Sequence, residues 1–294
     1  MEALKDYLVS RGRLIDRAID GQLPQATAEP QVVHHCMRYS VEGGKRLRPI
    51  LALAVAEMIG CATSKMLPTC VALELIHTHS LILDDMPCMD NDDYRRGRPA
   101  SHKLFGEGIA LLAADALLNL AIAILGSNHR MAGIAPETAL EIIREVGEAV
   151  GTGGVIGGQA ADLSFSEAEA GSALLERIHL GKTANLFRLS ARAAALVAEA
   201  SSGQMEAVTT YADRLGLAFQ IADDLLDRLG PESPSRGRAR EEPSYAASFG
   251  VEKARSLARE ATERAVVALS IFGGEAETLR LLAAHNLDRA WKSR

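Results

Sequence analysis

Residues 211–227 read YADRLGLAFQIADDLLD, and their spacing decides the fold class. Gly216, Gln220, Asp223 and Asp227 recur at i, i+4, i+7 and i+11, the period of an α-helix, with Asp224 one step round and apolar residues elsewhere. An ordinary solvent face mixes Lys, Glu and Arg. A stripe of Asp without intervening Lys repels itself unless a cation sits among the carboxylates. This helix is therefore expected to line a wet cavity, with Asp223, Asp224 and Asp227 as candidate metal ligands.

The rest of the chain carries the same helical text. Of its 294 residues 48% are hydrophobic but only 4% aromatic, a balance that suits close-packed helices better than sheets built from β-branched and aromatic residues. An all-α fold follows. Helical periodicity runs from Met1 to about Ser40 with a break at Gly21–Pro30, then over Pro49–Gly60, Thr69–Met86, Gly108–Leu125 and Pro136–Gly158. It continues over Ser172–Ala200, Gln204–Leu229, Val251–Phe272 and Ala276 to the end. No shift in composition marks a boundary, so residues 1–294 are expected to form a single domain.

A net charge of −6 argues against nucleic acid or an anionic membrane as a partner and leaves phosphate binding to local clusters. Cys36, Cys61, Cys70 and Cys88 are scattered, with no C-x-x-C pair and no secretory leader before them, so reduced thiols in a cytoplasm are expected, without zinc or disulfides. The apolar run Gly108–Gly126, GIALLAADALLNLAIAILG, contains Asp115 and Asn119 and is read as a buried bundle helix, with no membrane span expected.

A second acidic cluster ends the run Thr69–Met86, in LILDDMPCMDNDDYRRGRP at Leu81–Pro99. His77 and Asp84, seven residues apart, share a helix face. The carboxylates of the later cluster, Asp223, Asp224 and Asp227, have no His or Cys nearby and no calcium-binding loop around them, which suits magnesium shared with substrate phosphates. Phosphate is also invited by GGKRLRP at Gly43–Pro49, where Lys45, Arg46 and Arg48 follow a glycine pair just before a helix. In HLGKTANLF, His179–Phe187, a mid-helix glycine costs about 1 kcal/mol relative to alanine. A local break there would turn backbone carbonyls toward the cavity, with Thr183 bonding the preceding turn and Lys182 meeting an anion.

Together GGKRLRP, DDMPCMDNDDYRRG, GGQAADL, GKT and FQIADDLLD resemble, in order and approximate spacing, the trans-isoprenyl (polyprenyl) diphosphate synthases, and the resemblance covers nearly the whole chain. DDMPCMD, with four residues before the third Asp, looks like the longer motif of bacterial farnesyl and of bacterial and plant geranylgeranyl diphosphate synthases. The resemblance implies a bundle of helices around a deep central cavity, a homodimer, and prenyl transfer from an allylic diphosphate to isopentenyl diphosphate. It implies that Asp84, Asp85, Asp90, Asp223, Asp224 and Asp227 hold Mg2+ on the allylic diphosphate, assisted by Arg95, Lys182 and Gln220. It places Gly44, Lys45, Arg48, His77 and Arg96 on the diphosphate of isopentenyl diphosphate, and oxygens near Lys182, Thr183 and Gln220 beside the carbocation.

In such enzymes the fifth residue before the first Asp often sets product length. Here that is His79, whose bulk suggests a fifteen-carbon stop, while the small Ser80 beside it leaves room; farnesyl is slightly favoured over geranylgeranyl diphosphate. The chain departs from the family after Asp227, where two lysines are usual. No lysine lies between Asp227 and Tyr245, Glu242 stands near the place of the second, and Arg236, Arg238 and Arg240 are the available cations. A terpene cyclase is disfavoured by GGKRLRP and DDLLD, and a non-catalytic synthase-like subunit by the two complete Asp motifs.

Overall fold

Small residues set how the helices meet. Ala52, Ala54, Ala56, Ala72, Ala113, Ala114, Ala121 and Ala193–Ala195 are all buried, and such short side chains let helix axes approach closely. The computed structural model describes residues 2–164, 181, 184–229 and 244–291, with the backbone alone at 227–229, 289 and 290. Lys182, Thr183, Arg236, Arg238, Arg240 and Glu242 lie outside the described residues.

The fold is all-α. In chain order the helices are α1 (Glu2–Gln22), α2 (Gln31–Val41), α3 (Leu47–Ile59), α4 (Thr63–Asp84), α5 (Ser101–Phe105), α6 (Glu107–Gly126), α7 (Asn128–Met131), α8 (Pro136–Val150) and α9 (Val155–Leu163). They continue as α10 (Asn185–Val197), α11 (Ser202–Leu229), α12 (Tyr245–Phe249), α13 (Val251–Ala268), a 3-10 turn at Leu269–Ala276 and α14 (Glu277–Trp291). Between α4 and α5, β1 (Tyr94–Arg95) and β2 (Arg98–Pro99) pair antiparallel. The two turn residues of this hairpin, Arg96 and Gly97, have φ of 55° and 75°, the twist that a tight two-residue turn requires.

The main core is built from α3, α4, α6, α10 and the first half of α11; α4 packs on α6 and α3, and α10 on α3 and α11. A smaller apolar cluster joins Ile221, Ala222 and Leu225 of α11 to Tyr245, Ala246, Ala254 and Ala258. Thus α11 spans both, and Asp223 and Asp224 lie on the stretch that joins the smaller cluster.

Three expectations need correction. The run Pro136–Gly158 is two helices, because the glycine-rich 151–154 segment breaks it. The run Val251–Phe272 leaves α-helix after Ala268. Helix α6 is not buried all round: Leu111, Leu112 and Ile122 are 51%, 56% and 40% exposed, on the face that also carries the exposed Asp115 and Asn119. By length and composition alone α4 and α6 are each apolar enough to cross a bilayer, but most of α4 is packed inside the protein.

Candidate active site

The basic turn before α3 sorts its cations by direction. Arg46, at φ 54°, points inward, 6% exposed, donating from Nη1 to Glu74 Oε1 at 2.7 Å and from Nε to Asp16 Oδ1 at 2.7 Å. It is not poised for a ligand, whereas Lys45 is exposed. Arg48 lies over the Phe187 ring, 5.0 Å from its centroid, with Nη1 2.9 Å from His77 Nε2. Burial lowers the Arg48 pKa to about 10; Arg96 adds to the shift, while Glu74 and Asp223 oppose it. The side chain is still charged at neutral pH, and an incoming anion would relieve its poorly solvated charge.

His77 is held neutral: burial first, then Arg48, Arg96, Arg95 and Arg46, push its pKa well below 6.5. Because Arg48 has only protons to give, Nε2 accepts and the ring proton sits on Nδ1. Nδ1 is buried and has no hydrogen-bond partner among the described residues, so it is a donor available to an anion.

At the far end of α4 the first Asp cluster folds back on itself. The Asp90 N–H donates to the Asp84 carbonyl at 2.9 Å and the Asn91 N–H to that of Met86 at 3.1 Å, which returns the third Asp to the first. Asp85 is 3% exposed and is gripped by Arg95, whose Nε reaches both carboxylate oxygens at 2.8 and 3.2 Å. Burial raises the Asp85 pKa and Arg95 opposes it.

The hairpin turn sends its neighbouring arginines apart. Arg95 faces the Asp cluster, while Arg96 Nη1 donates to the carbonyls of Ser40, Val41 and Glu42 at 3.3, 3.2 and 2.9 Å, capping α2 beside the basic turn. Asp92 holds Arg95 at 3.0 Å, and Asp93 pairs with Lys103 at 2.6 Å.

On α11 adjacent residues stand about 100° apart round the axis, so Asp223 and Asp224 cannot share one direction. Asp223 is near enough to Arg48 to raise its proton affinity. Asp224, 7% exposed, accepts from Gln220 Nε2 at 2.9 Å and from the Tyr245 N–H at 2.8 Å. The sequence expects Asp224 only as a metal ligand; here it ties α11 to the start of α12. Of Asp227 only the backbone is described. Gly216, counted in the stripe expected to face a wet cavity, packs against the start of α10 instead, because a Cβ there would lie 2.7 Å from Ala184 Cα.

Below Asp84, His79 donates from Nδ1 to the Ala114 carbonyl of α6 at 2.9 Å, and Ser80 Oγ bonds back to the His77 carbonyl at 2.9 Å. The His79 ring is therefore fixed between α4 and α6, with burial lowering its pKa. Among the described residues no three acidic, His or Cys side chains converge into a ready-made metal site. The donor set is nonetheless all carboxylate at both helix ends, which fits a hard cation that completes its coordination with substrate oxygens.

The all-α fold thus carries carboxylates near the ends of two helices and a separate cluster of Arg, Lys and neutral His, a charge arrangement that can hold cations and anions. The polyprenyl synthetase family model matches residues 30–239. The large subunit 1 of the chloroplastic heterodimeric geranylgeranyl pyrophosphate synthase of Arabidopsis thaliana is 39% identical over 88% of this chain and 72% of its own. A geranylgeranyl diphosphate synthase of Cyanophora paradoxa is 36% identical over 97% of this chain and 96% of its own. The crystal structure of an FPP/GFPP synthase from Zymomonas mobilis superposes with a TM-score of 0.87 at 37% identity, covering 97% of this chain and 99% of that one. The chain belongs to the polyprenyl synthetase family and is a prenyltransferase.

Proposed function

We propose that the protein condenses isopentenyl diphosphate head-to-tail with an allylic diphosphate, in a magnesium-dependent reaction that stops at a short chain, farnesyl diphosphate before geranylgeranyl. The observation that carries the reading is a pair of opposed charge clusters: carboxylates near the ends of α4 and α11, suited to share a cation with a diphosphate, and the basic set of Lys45, Arg48, His77 and Arg96, suited to hold a diphosphate directly.

Asp84, Asp85 and Asp90, with Asp223, Asp224 and Asp227, would hold Mg2+, Asp85 exchanging Arg95 and Asp224 exchanging Gln220 and Tyr245 for the metal. Bound there, Mg2+ supplies charge neutralisation to a diphosphate leaving group. Arg95 and Lys182 add positive charge on that side. Lys45, Arg48, His77 and Arg96, with the Gly44 backbone, hold the other diphosphate, which fixes its isopentenyl double bond in near-attack geometry.

The allylic C–O bond breaks and its electron pair leaves with pyrophosphate. The isopentenyl double bond then captures the carbocation, and a proton departs to the released pyrophosphate. Oxygens of Lys182, Thr183 and Gln220 steady the cation, and apolar walls such as Phe187 and Phe219, whose rings lie 5.1 Å apart, keep water from quenching it. Purified protein given Mg2+, isopentenyl diphosphate and dimethylallyl, geranyl or farnesyl diphosphate in turn is expected to release pyrophosphate and make a longer allylic diphosphate. No elongation with any primer would overturn the proposal.

Product length rests on His79, five residues or roughly 7.5 Å below Asp84 along α4. Its bond to Ala114 keeps the ring from swinging aside. His79→Ala is expected to add at least one five-carbon unit to the main product by mass spectrometry; an unchanged product assigns the stop elsewhere.

The exposed apolar face of α6 supports a homodimer, since burying Leu111, Leu112 and Ile122 against a second copy removes them from water. Light scattering on the eluted peak is expected to give twice the chain mass of 31.4 kDa, and Leu111→Asp with Ile122→Asp to give the monomer mass. A wild-type monomer would refute this assembly. The four free cysteines suit a reducing cytoplasm, where we place the protein.

A further inference from the structure

Glu74 takes no part in the mechanism above, yet it sits at the centre of the basic set. It is 1% exposed, on the apolar helix α4, one turn before His77. Its Oε1 accepts from Arg46 Nη1 at 2.7 Å and lies 3.9 Å from Arg96 Nη2. It also backs onto the glycine pair: a Cβ at Gly44 would stand 2.8 Å from that same oxygen, 2.5 Å from Arg46 Nη1 and 2.9 Å from Arg96 Nη2. One carboxylate oxygen thus pairs with Arg46 of the basic turn, lies near Arg96 of the hairpin and stands where a side chain at position 44 would push all three groups aside.

We infer that Glu74 is a positioning residue for the isopentenyl diphosphate site, holding Arg46, Arg96 and the Gly44 backbone in place before the ligand arrives. The inference rests on the assignment of that site to the basic set.

Two effects of opposite sign compete. A buried negative charge beside a diphosphate site repels the ligand, but without it three guanidinium groups repel one another. The mutual repulsion is visible in the cluster itself: burial and then Arg46 and Arg95 lower the Arg96 pKa, and Glu74 is the largest opposing influence on both Arg96 and Arg48. Arg46 escapes that fate; burial alone would lower its pKa, but Glu74 and Asp16 raise it. Because Arg46 already spends the Glu74 charge in a direct ion pair, the repulsion felt by a ligand is small. Loss of placement is the larger effect, as hydrogen-bonded charges placed beforehand need no reorganisation on binding.

The test reads the basic site alone. With EDTA present the carboxylate side has no metal to share with a diphosphate, and calorimetry then measures isopentenyl diphosphate on the basic set. Glu74→Gln is expected to weaken this binding about tenfold or more, and in turnover to raise KM for isopentenyl diphosphate about as much while KM for the allylic diphosphate changes less than about threefold.

Because the single variant leaves Arg46 buried without its partner, Arg46→Met with Glu74→Leu removes the pair together and is expected to recover the melting temperature. In that double variant isopentenyl diphosphate is still expected to bind about tenfold more weakly than in the wild type. Unchanged or tighter binding in Glu74→Gln, or full recovery of affinity in the double variant, would reduce Glu74 to the partner of Arg46 and overturn the inference. If the wild type makes no product at all, the functional reading fails, and the calorimetric comparison still decides the role of Glu74.

Discussion

Asp84→Asn is expected to lower kcat by about a thousandfold or more while leaving the melting temperature unchanged or slightly higher. The two parts have one cause. Asp84 is the last residue of α4, and Asp85 follows as its cap. A helix C-terminus carries partial negative charge, so a carboxylate there costs roughly 0.3–1 kcal/mol where a Lys or Arg would stabilise. The last turn of α4 has no basic residue. Asparagine keeps the size of the side chain and removes the repulsion, so the fold gains or holds. What is lost is a negative charge needed to keep a divalent cation against the leaving group. A variant that melts much earlier than the wild type would make Asp84 a structural residue, and one that keeps its kcat would remove it from the metal site.

Arg48→Met is expected to lower kcat/KM for isopentenyl diphosphate about a hundredfold, with a far smaller effect on KM for the allylic substrate. The guanidinium stacks on Phe187, touches His77 and feels the charge of Asp223, so one side chain links α3, α4 and α10 and couples to α11. Methionine preserves the apolar stem and its contact with Phe187. The loss then reports the missing charge and its fork of donors. Equal losses for both substrates would show that Arg48 organises the whole cavity and has no separate diphosphate to bind.

Much of the fold could be read from the chain because helix periodicity and a shortage of aromatics leave few alternatives. The cluster at Asp84–Asp90 and the stripe at Gln220–Asp227 stand out as site candidates for a different reason: aspartate near the end of an apolar helix works against local stability, and such conflicts point to function. Directions were harder to read. Sequence alone does not say that Arg46 turns to Glu74 and Asp16 while Arg48 turns to His77 and Phe187, since both follow one glycine pair.

Nor does it say that Asp224 reaches the N–H of Tyr245, a contact between residues 21 apart. Glu74 did leave a signal: a lone carboxylate in the apolar text VALELIHTHS must be paired if the helix is buried. Its partners came from the loop at Gly43–Pro49 and the hairpin at Arg96, which no helical period connects. Along α6 the text is apolar apart from Asp115 and Asn119, and only packing distinguishes the face that α4 covers from the exposed one.

The central claim is that two diphosphates bind on chemically distinct sides of one cavity. Its most direct test is a crystal structure of the protein grown with Mg2+, isopentenyl diphosphate and an unreactive thio analogue of an allylic diphosphate. Mg2+ is expected between the analogue's diphosphate and the carboxylates of Asp84, Asp90 and Asp223, with the isopentenyl diphosphate held metal-free by Lys45, Arg48, His77 Nδ1 and Arg96. Metal and both diphosphates gathered on the carboxylate side, with the basic set left without a ligand, would contradict it.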